Sequence, residues 1–347
     1  MQPIRTALCA MGMSGKVFHA PLIEAHPNFE LTSIWKRSSQ TTENQYPHVE
    51  IAPTYSQILE NPDIDLIVVN TPEHTHFDLT WKALEAKKHV VVEKAFTPTV
   101  SEAEKLIAFA KEQKRLLSVY QNRRWDSDFL TVKKILEEGI LGRLVSYEAH
   151  YNRYRTFIQE GSWKENEMSG TGILYNLGSH LIDQALLLFG MPQSVYADLK
   201  IQREGGRVFD NFDLLMDYEG FKVFLRASYL VPLPGPKYIL HGDNGSFLKP
   251  GMDPQEEALK NGVLPHTEDW GKEEPTDWGT LLTNKHGFSL EGKVTSLSGN
   301  YLAYYSQLFD AIRNQSPLPV LPEEALNGIR IIEAAYESHS HKRAVFL

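Results

Sequence analysis

The chain is poor in three things, and each shortage removes a class of protein. It has one cysteine, Cys9, so no intramolecular disulfide can form, and the apolar run after Ile4 marks Cys9 as a buried core thiol. It has no excess of basic charge. Lys and Arg number 35 against 44 Asp and Glu, a formal net charge of −9, whereas proteins that grip a phosphate backbone carry a concentrated basic face; no nucleic-acid partner is expected. No stretch approaches the roughly 18 consecutive apolar residues that span a bilayer, and the opening residues show no apolar segment with a small-residue cleavage site. The expected setting is the reducing cytoplasm, with neither export nor a membrane partner.

What is present is a chain of 347 residues, 42% hydrophobic and 23% charged, long enough for two cores. The first 120 residues alternate short β-rich runs with helical patterns, as a parallel sheet with crossover helices requires. Strands are expected at Arg5 to Cys9, Glu30 to Trp35, Leu66 to Asn70, His89 to Glu93 and Leu116 to Val119. Apolar spacing predicts helices at Phe77 to Ala86 and Val100 to Gln113. After Gln121 the rhythm changes: a helix near Phe129 to Glu138 is followed by alternating strands such as Leu144 to His150 and Lys222 to Ser228, with one helix, Leu177 to Phe189, among them. Residues Gly251 to Gly287 show no sustained period and read as an irregular excursion. Helices Tyr301 to Asn314 and Pro322 to His339 end the chain. The fold class is thus α/β plus α+β: a doubly wound parallel sheet over residues 1–121, then a domain over 122–347 built on a large, mostly antiparallel open sheet. The last helices are free to pack back on the first domain.

The first strand runs into Ala10-Met11-Gly12-Met13-Ser14-Gly15, the glycine pattern of a Rossmann dinucleotide site lacking its first glycine. Gly12 and Gly15 are the positions that let backbone approach a pyrophosphate and let helix pack on strand, while the amides at Met13 and Ser14 open the helix. A second absence follows: the end of the second strand has no acid to hold a ribose diol. Lys36, Arg37 and Ser38 stand there instead, groups suited to a dianionic 2′-phosphate, so NADP(H) is expected over NAD(H). At later strand ends lie the polar loop Asn70-Thr71-Pro72-Glu73-His74-Thr75-His76 and the pair Glu93-Lys94. His74 and His76 have no third ligand beside them, and no metal is expected.

The glycine turn, the Asn-Thr-Pro-x-x-x-His loop, the Glu-Lys strand end and Leu177-Gly178-Ser179-His180 together resemble the glucose-fructose oxidoreductase, inositol dehydrogenase and rhizopine catabolism family (Gfo/Idh/MocA) across nearly the whole chain. The resemblance implies a catalytic lysine at Lys94, with Ala95 departing from the family's proline. It implies a catalytic histidine at His180, with Asn176 four residues earlier where the family has aspartate; Asp183, one turn on, is a candidate substitute. Asn70, Thr71, Pro72, His74, His76, Glu93 and Trp163 become cofactor contacts, and Arg124, Tyr154 and Asp183 substrate contacts, with Arg155 beside Tyr154.

Alcohol oxidation by hydride transfer needs a proton to leave the hydroxyl oxygen. His180 is expected to exchange it while Lys94 polarises the oxygen, or with the roles exchanged. The substrate class implied is a polyol or sugar, inositol-like or aldose. Reduction of another carbonyl or an imine, or NADP sensing without turnover, stays open. A homodimer or homotetramer is expected, because an open sheet leaves one face to cover.

Overall fold

The computed structural model describes residues 2–35, 46–285 and 287–347. Lys36, Arg37 and Ser38 lie outside the described residues. The chain divides into two compact units, the first comprising Met1–Asn122, Gln255–Trp270 and Asn300–Leu326, the second Arg123–Pro254, Gly271–Gly299 and Asn327–Leu347.

The first unit is built on a six-stranded sheet: β1 (Ile4–Leu8), β2 (Phe29–Trp35), β3 (Glu50–Ala52), β4 (Leu66–Val69), β5 (His89–Val92) and β6 (Leu117–Val119), in the spatial order β3-β2-β1-β4-β5-β6 with every pair parallel. All of β4 and most of β1 and β5 are buried, as a sheet with helices on both faces demands of its central strands. The order reverses between β1 and β4, so the crevice beyond their carboxyl ends is the topological switch point. The helix Val100–Gln113 begins at Thr99, whose hydroxyl accepts from the Glu102 amide. Strand β3 and the helix Tyr55–Glu60, capped reciprocally by Thr54 and Gln57, were not expected from the sequence; three residues of strand are too few for a period to register.

Two later segments, Gln255–Trp270 and Asn300–Leu326, join the first unit. Helix Leu302–Asn314 carries fully buried Tyr304 and Tyr305. The Tyr304 hydroxyl donates to Ser118 Oγ at 3.0 Å, and that hydroxyl in turn donates to the Val320 carbonyl. The excursion expected between Gly251 and Gly287 is more regular than its composition implied. It contains the helix Gln255–Lys260, whose Gln255 Oε1 accepts from Trp270 Nε1 and from the Tyr301 amide.

The second unit carries nine strands: β7 (Leu144–His150), β8 (Ser194–Lys200), β9 (Asn211–Tyr218), β10 (Phe221–Ser228), β11 (Tyr238–Gly242), β12 (Gly245–Lys249), β13 (Gly279–Lys285), β14 (Phe288–Val294) and β15 (Val345–Phe346). Their order is β14-β13-β12-β11-β7-β10-β9-β8-β15, antiparallel throughout except for the β7–β10 pair. Strand β13 lies inside the expected excursion. Alternation along β9 puts Phe212, Leu214, Met216 and Tyr218 in the core and Asp213, Leu215 and Asp217 on the other face.

A charged cluster is sealed in this unit. Lys237 Nζ bonds Asp128 at 2.6 Å and lies 3.6 Å from Asp126, which is 3.5 Å from Arg123; Asp253 accepts from the Ser127 amide and its own amide donates to Asp128. Three carboxylates face two cations. Burial pushes Asp126 up to about 8, with Asp253 and Asp128 adding to the rise and Arg123 and Lys237 opposing it. An unfolded chain releases this proton near the ordinary 3.8. Between those two values the folded state therefore binds the extra proton, and stability falls as pH rises, at most by about 1.4 kcal/mol per pH unit from this group. Asp126→Asn is expected to flatten the slope of the denaturant midpoint between pH 5 and 8; an unaltered slope places the proton elsewhere.

Candidate active site

At the switch point the side chain of Asn70 fastens the glycine turn. Its Oδ1 accepts from the Ala10 amide at 3.0 Å and its Nδ2 donates to the Ala10 carbonyl at 2.8 Å, continuing the ladder between β1 and β4 by one side-chain rung. Asn70 is thus the clamp of the turn, its side chain committed to Ala10 rather than to a ligand. The clamped carbonyl sets the next requirement: a Cβ at Gly15 would stand 2.4 Å from Ala10 O, so only glycine fits. At Gly12 a Cβ would meet no protein atom within 4 Å, and Met13 is exposed. The helix starts directly after Ser14 with a wide turn, Gly15–His19, hydrogen-bonded i to i+5, before the regular helix Ala20–Ala25. Open backbone followed by a helix N-terminus fits a pyrophosphate.

His19, at the end of that wide turn, is completely buried and was not singled out from the sequence. Its Nδ1 lies 2.7 Å from the Tyr305 hydroxyl, its Nε2 lies 3.0 Å from Glu93 Oε1, and its ring packs against Tyr120 at 4.4 Å. Glu93 Oε2 accepts from the Lys94 amide at 3.1 Å. Burial alone would raise the Glu93 carboxyl, but the His19 hydrogen bond and charge, with the Lys94 ammonium and amide, outweigh it and hold Glu93 below the usual carboxylate range. Glu93 is therefore an ionised strut under Lys94.

The loop after β4 supports the same strand end. Thr71 and Thr75 share a 2.6 Å hydroxyl bond, and Thr75 Oγ1 donates to the Pro72 carbonyl. His76 is also completely buried; its Nδ1 faces the carbonyls of Ala95 and Phe96 at 3.0 and 3.1 Å, and its Nε2 faces the Thr71 carbonyl at 2.9 Å. It ties the loop to the segment after Lys94 and is not placed to touch a ligand. His74 is exposed and Lys94 half-buried.

In the second unit, Asn176 lies in another wide turn, Leu174–Gly178, that leads into helix Ser179–Phe189. A Cβ at Gly178 would meet Leu174 Cδ1 at 2.8 Å, which explains the glycine before His180. Asn176 Nδ2 donates to the Tyr229 hydroxyl at 2.8 Å, and the buried His180 ring is 6.3 Å from that of Tyr151. Asp183, weighed as a substitute acid, is engaged otherwise. Arg124 grips it with two bonds, Nε to Oδ2 at 2.8 Å and Nη2 to Oδ1 at 2.7 Å, in a buried pair. Arg124 and Asp183 each meet the other's charge. Tyr154 bridges Leu230 on an edge and is 64% exposed.

Trp163 is half-buried in a short turn, Trp163–Glu165, held from beneath by Arg203. That guanidinium pairs with Glu165 at 2.8 Å and Asp210 at 3.0 Å, donates to the Phe157 carbonyl at 3.0 Å, and lies 4.9 Å over the Tyr229 ring. His19, Arg203 and Tyr229 escaped the sequence reading because their partners are distant in the chain. Only the spacing of His19 four residues after Gly15 offered a local signal.

Replacing Asn70 with Ala leaves the amide and carbonyl of Ala10 unpaired at the turn, a cost of about 1–3 kcal/mol. The expected result is a lower melting temperature together with about fivefold or more weaker dinucleotide binding; unchanged binding by fluorescence titration would refute the clamp.

Two family models cover the chain: an oxidoreductase family NAD-binding Rossmann fold over residues 4–121, and an oxidoreductase family C-terminal alpha/beta domain over residues 133–347. The chain is 41% identical over 344 residues to the NADP(+)-dependent scyllo-inositol 2-dehydrogenase IolW of Bacillus subtilis, covering 99% of this chain and 96% of that protein. It is likewise 41% identical to the uncharacterised oxidoreductase YdgJ of Escherichia coli, with 99% of each covered. Among solved structures, the yvaA oxidoreductase of Bacillus subtilis superposes with a TM-score of 0.97 at 41% identity, covering 100% of this chain and 99% of that one. An oxidoreductase from Bacteroides fragilis gives 0.91 at 47% identity with both chains fully covered. Fold, glycine turn and full-length similarity agree, and the chain belongs to the Gfo/Idh/MocA family of oxidoreductases.

Proposed function

We propose that this oxidoreductase uses NADP(H) in preference to NAD(H) and moves a hydride between it and a hydroxyl or carbonyl carbon of a polyol or sugar. The observation that carries the reading is the Asn70-clamped turn at the switch point with Lys94 held nearby by Glu93, His19 and the His76-tied loop. The basic run Lys36, Arg37 and Ser38, with no carboxylate among them, supports the choice of NADP(H), as does the NADP(+) dependence of the similar IolW. The polyol class rests on that relative's scyllo-inositol substrate. The buried, reduced Cys9 suits a cytoplasmic setting.

Bound in the turn, NADP(H) supplies or takes the hydride. Lys94 polarises the substrate oxygen, and His180 exchanges the proton with it. Asn176, its amide committed to Tyr229, orients the substrate beside His180. Trp163, in a turn tied to Arg203 through Glu165, would help to hold the nicotinamide.

Lys94→Ala and His180→Gln are each expected to lower kcat by about 10²–10⁴ while NADPH affinity changes only severalfold. The assay follows NADPH absorbance with a panel of inositols, aldoses and ketones. Wild-type kcat retained in both variants ends the catalytic assignment, and a panel with no substrate turns the reading toward an NADP sensor.

We also propose that two or four copies assemble through the outer face of the nine-stranded sheet. Leu215 stands beside Phe224 there, and Leu248 and Leu282 on adjacent strands are 38% and 39% exposed, leaving apolar area for a second copy to cover. Light scattering is expected to give a dimer or tetramer; a monomer across all concentrations contradicts it.

A further inference from the structure

Beyond β7 the chain stays extended through Tyr151, Asn152, Arg153, Tyr154 and Arg155. The Arg153 amide donates to the Ser228 carbonyl at 2.9 Å and the Arg155 amide to the Tyr229 carbonyl at 2.7 Å. Alternation along this segment puts Tyr151, Arg153 and Arg155 on one side and the exposed Tyr154 on the other. The two guanidiniums are held over buried aromatic faces: Arg153 is 5.4 Å from the Tyr151 ring and Arg155 is 5.6 Å from the Tyr229 ring.

Each of these rings has other cations against it, Arg123 and Lys237 at 5.7 Å from Tyr151 and Arg203 at 4.9 Å from Tyr229. The difference lies in the counter-charge. Arg123 and Lys237 belong to the cluster that also holds Asp128 and Asp253, and Arg203 has Glu165 and Asp210. Among the described residues, the side chains of Arg153 and Arg155 make no ion pair and no hydrogen bond; they lie over aromatic rings, including Phe157 at 5.9 Å from Arg155. Both are half-buried. Two part-desolvated guanidiniums with no ion-pair partner favour an anion, and their planar forks suit a carboxylate or a phosphate.

The rings also locate this receptor. Tyr151 neighbours His180, and the Tyr229 hydroxyl accepts from Asn176, so the arginines stand on the same two supports as the residues assigned to the chemistry. Asn176 is neutral and offsets none of their charge. We propose that the substrate carries an anionic group, a carboxylate or a phosphate, on its polyol or sugar frame, and that Arg153 and Arg155 bind that group. The assignment deepens the reading above and rests on it for the location of the reacting carbon.

The test compares glucose, glucuronate and glucose 6-phosphate, by calorimetric binding to the NADPH-loaded protein and by turnover. At least one anionic probe is expected to bind about tenfold or more tightly than glucose, and which one does so names the group. The preference is expected to fall about tenfold in Arg153→Gln and in Arg155→Gln, to survive in large part in the Lys variants, and to shrink as salt is raised. A ratio of anionic to neutral affinity is unaffected by partial loss of folded protein. Equal binding of all three probes overturns the proposal, as does a preference that survives both Gln substitutions. Weakened NADPH binding in both variants with the sugar preference intact also overturns it, by assigning the guanidiniums to the cofactor. Binding preference without turnover breaks the hydride-transfer reading alone, whereas turnover with no preference breaks only the anion receptor.

Discussion

A charge taken out of water must be met by an opposite charge or by hydrogen bonds, and that requirement organises both halves of this protein. Arg124 is closed by Asp183, Arg203 by Glu165 and Asp210, Lys237 by Asp128, and Lys249 by Glu273. In the first unit the buried carboxylate is Glu93, closed by His19 and by the amide and ammonium of Lys94. Removing one member of such a set leaves the other stranded, at a cost of about 3–5 kcal/mol, far more than the pair gains over an apolar replacement. The frameworks around Lys94 and around Asn176 and His180 are therefore rigid for the same reason, although one is built on a parallel sheet and the other on an antiparallel one.

Much of the fold was legible because its elements are periodic and local. The helix Val100–Gln113 and strand β7 fall where the pattern puts them, and the strands of the parallel sheet lie within a residue or so of the apolar runs that predict them. The failures share a cause. Strand β3 is too short for a period, and β13 draws its stability from pairing with β12 and β14 rather than from its own composition. Helix Leu302–Asn314, which the sequence left free to pack on the first domain, does so through Tyr304 and Tyr305. Sequence period reports which face of an element is apolar; it is silent on which core that face enters.

The site was legible in its residue types and less so in their duties. Gly15 follows from the turn, and the structure supplies the reason in the Ala10 carbonyl 2.4 Å from where its side chain would begin. Asn70, Glu93, His76, Arg124 and Asp183 stand out in the sequence by type and place, and each has polar atoms bonded within the protein itself. A motif identifies residues that cannot be exchanged freely, and a strut under a reactive group satisfies that description as well as the group does. Duties separate only when partners are counted, and the partners here lie from 1 to 74 residues away in the chain.

The same counting gives Asn176 a meaning its sequence position could not. An aspartate there, as the resemblance led one to expect, would accept a hydrogen bond from the Tyr229 hydroxyl and add a negative charge beside the ring that carries Arg155. The amide instead donates to that hydroxyl and leaves the arginine charges uncancelled. Loss of an ionisable group at 176 and the presence of two uncompensated guanidiniums are then one electrostatic arrangement rather than two separate peculiarities. A neutral ligand would gain nothing from it, while an anionic one would complete the compensation that every other buried cation named here already has.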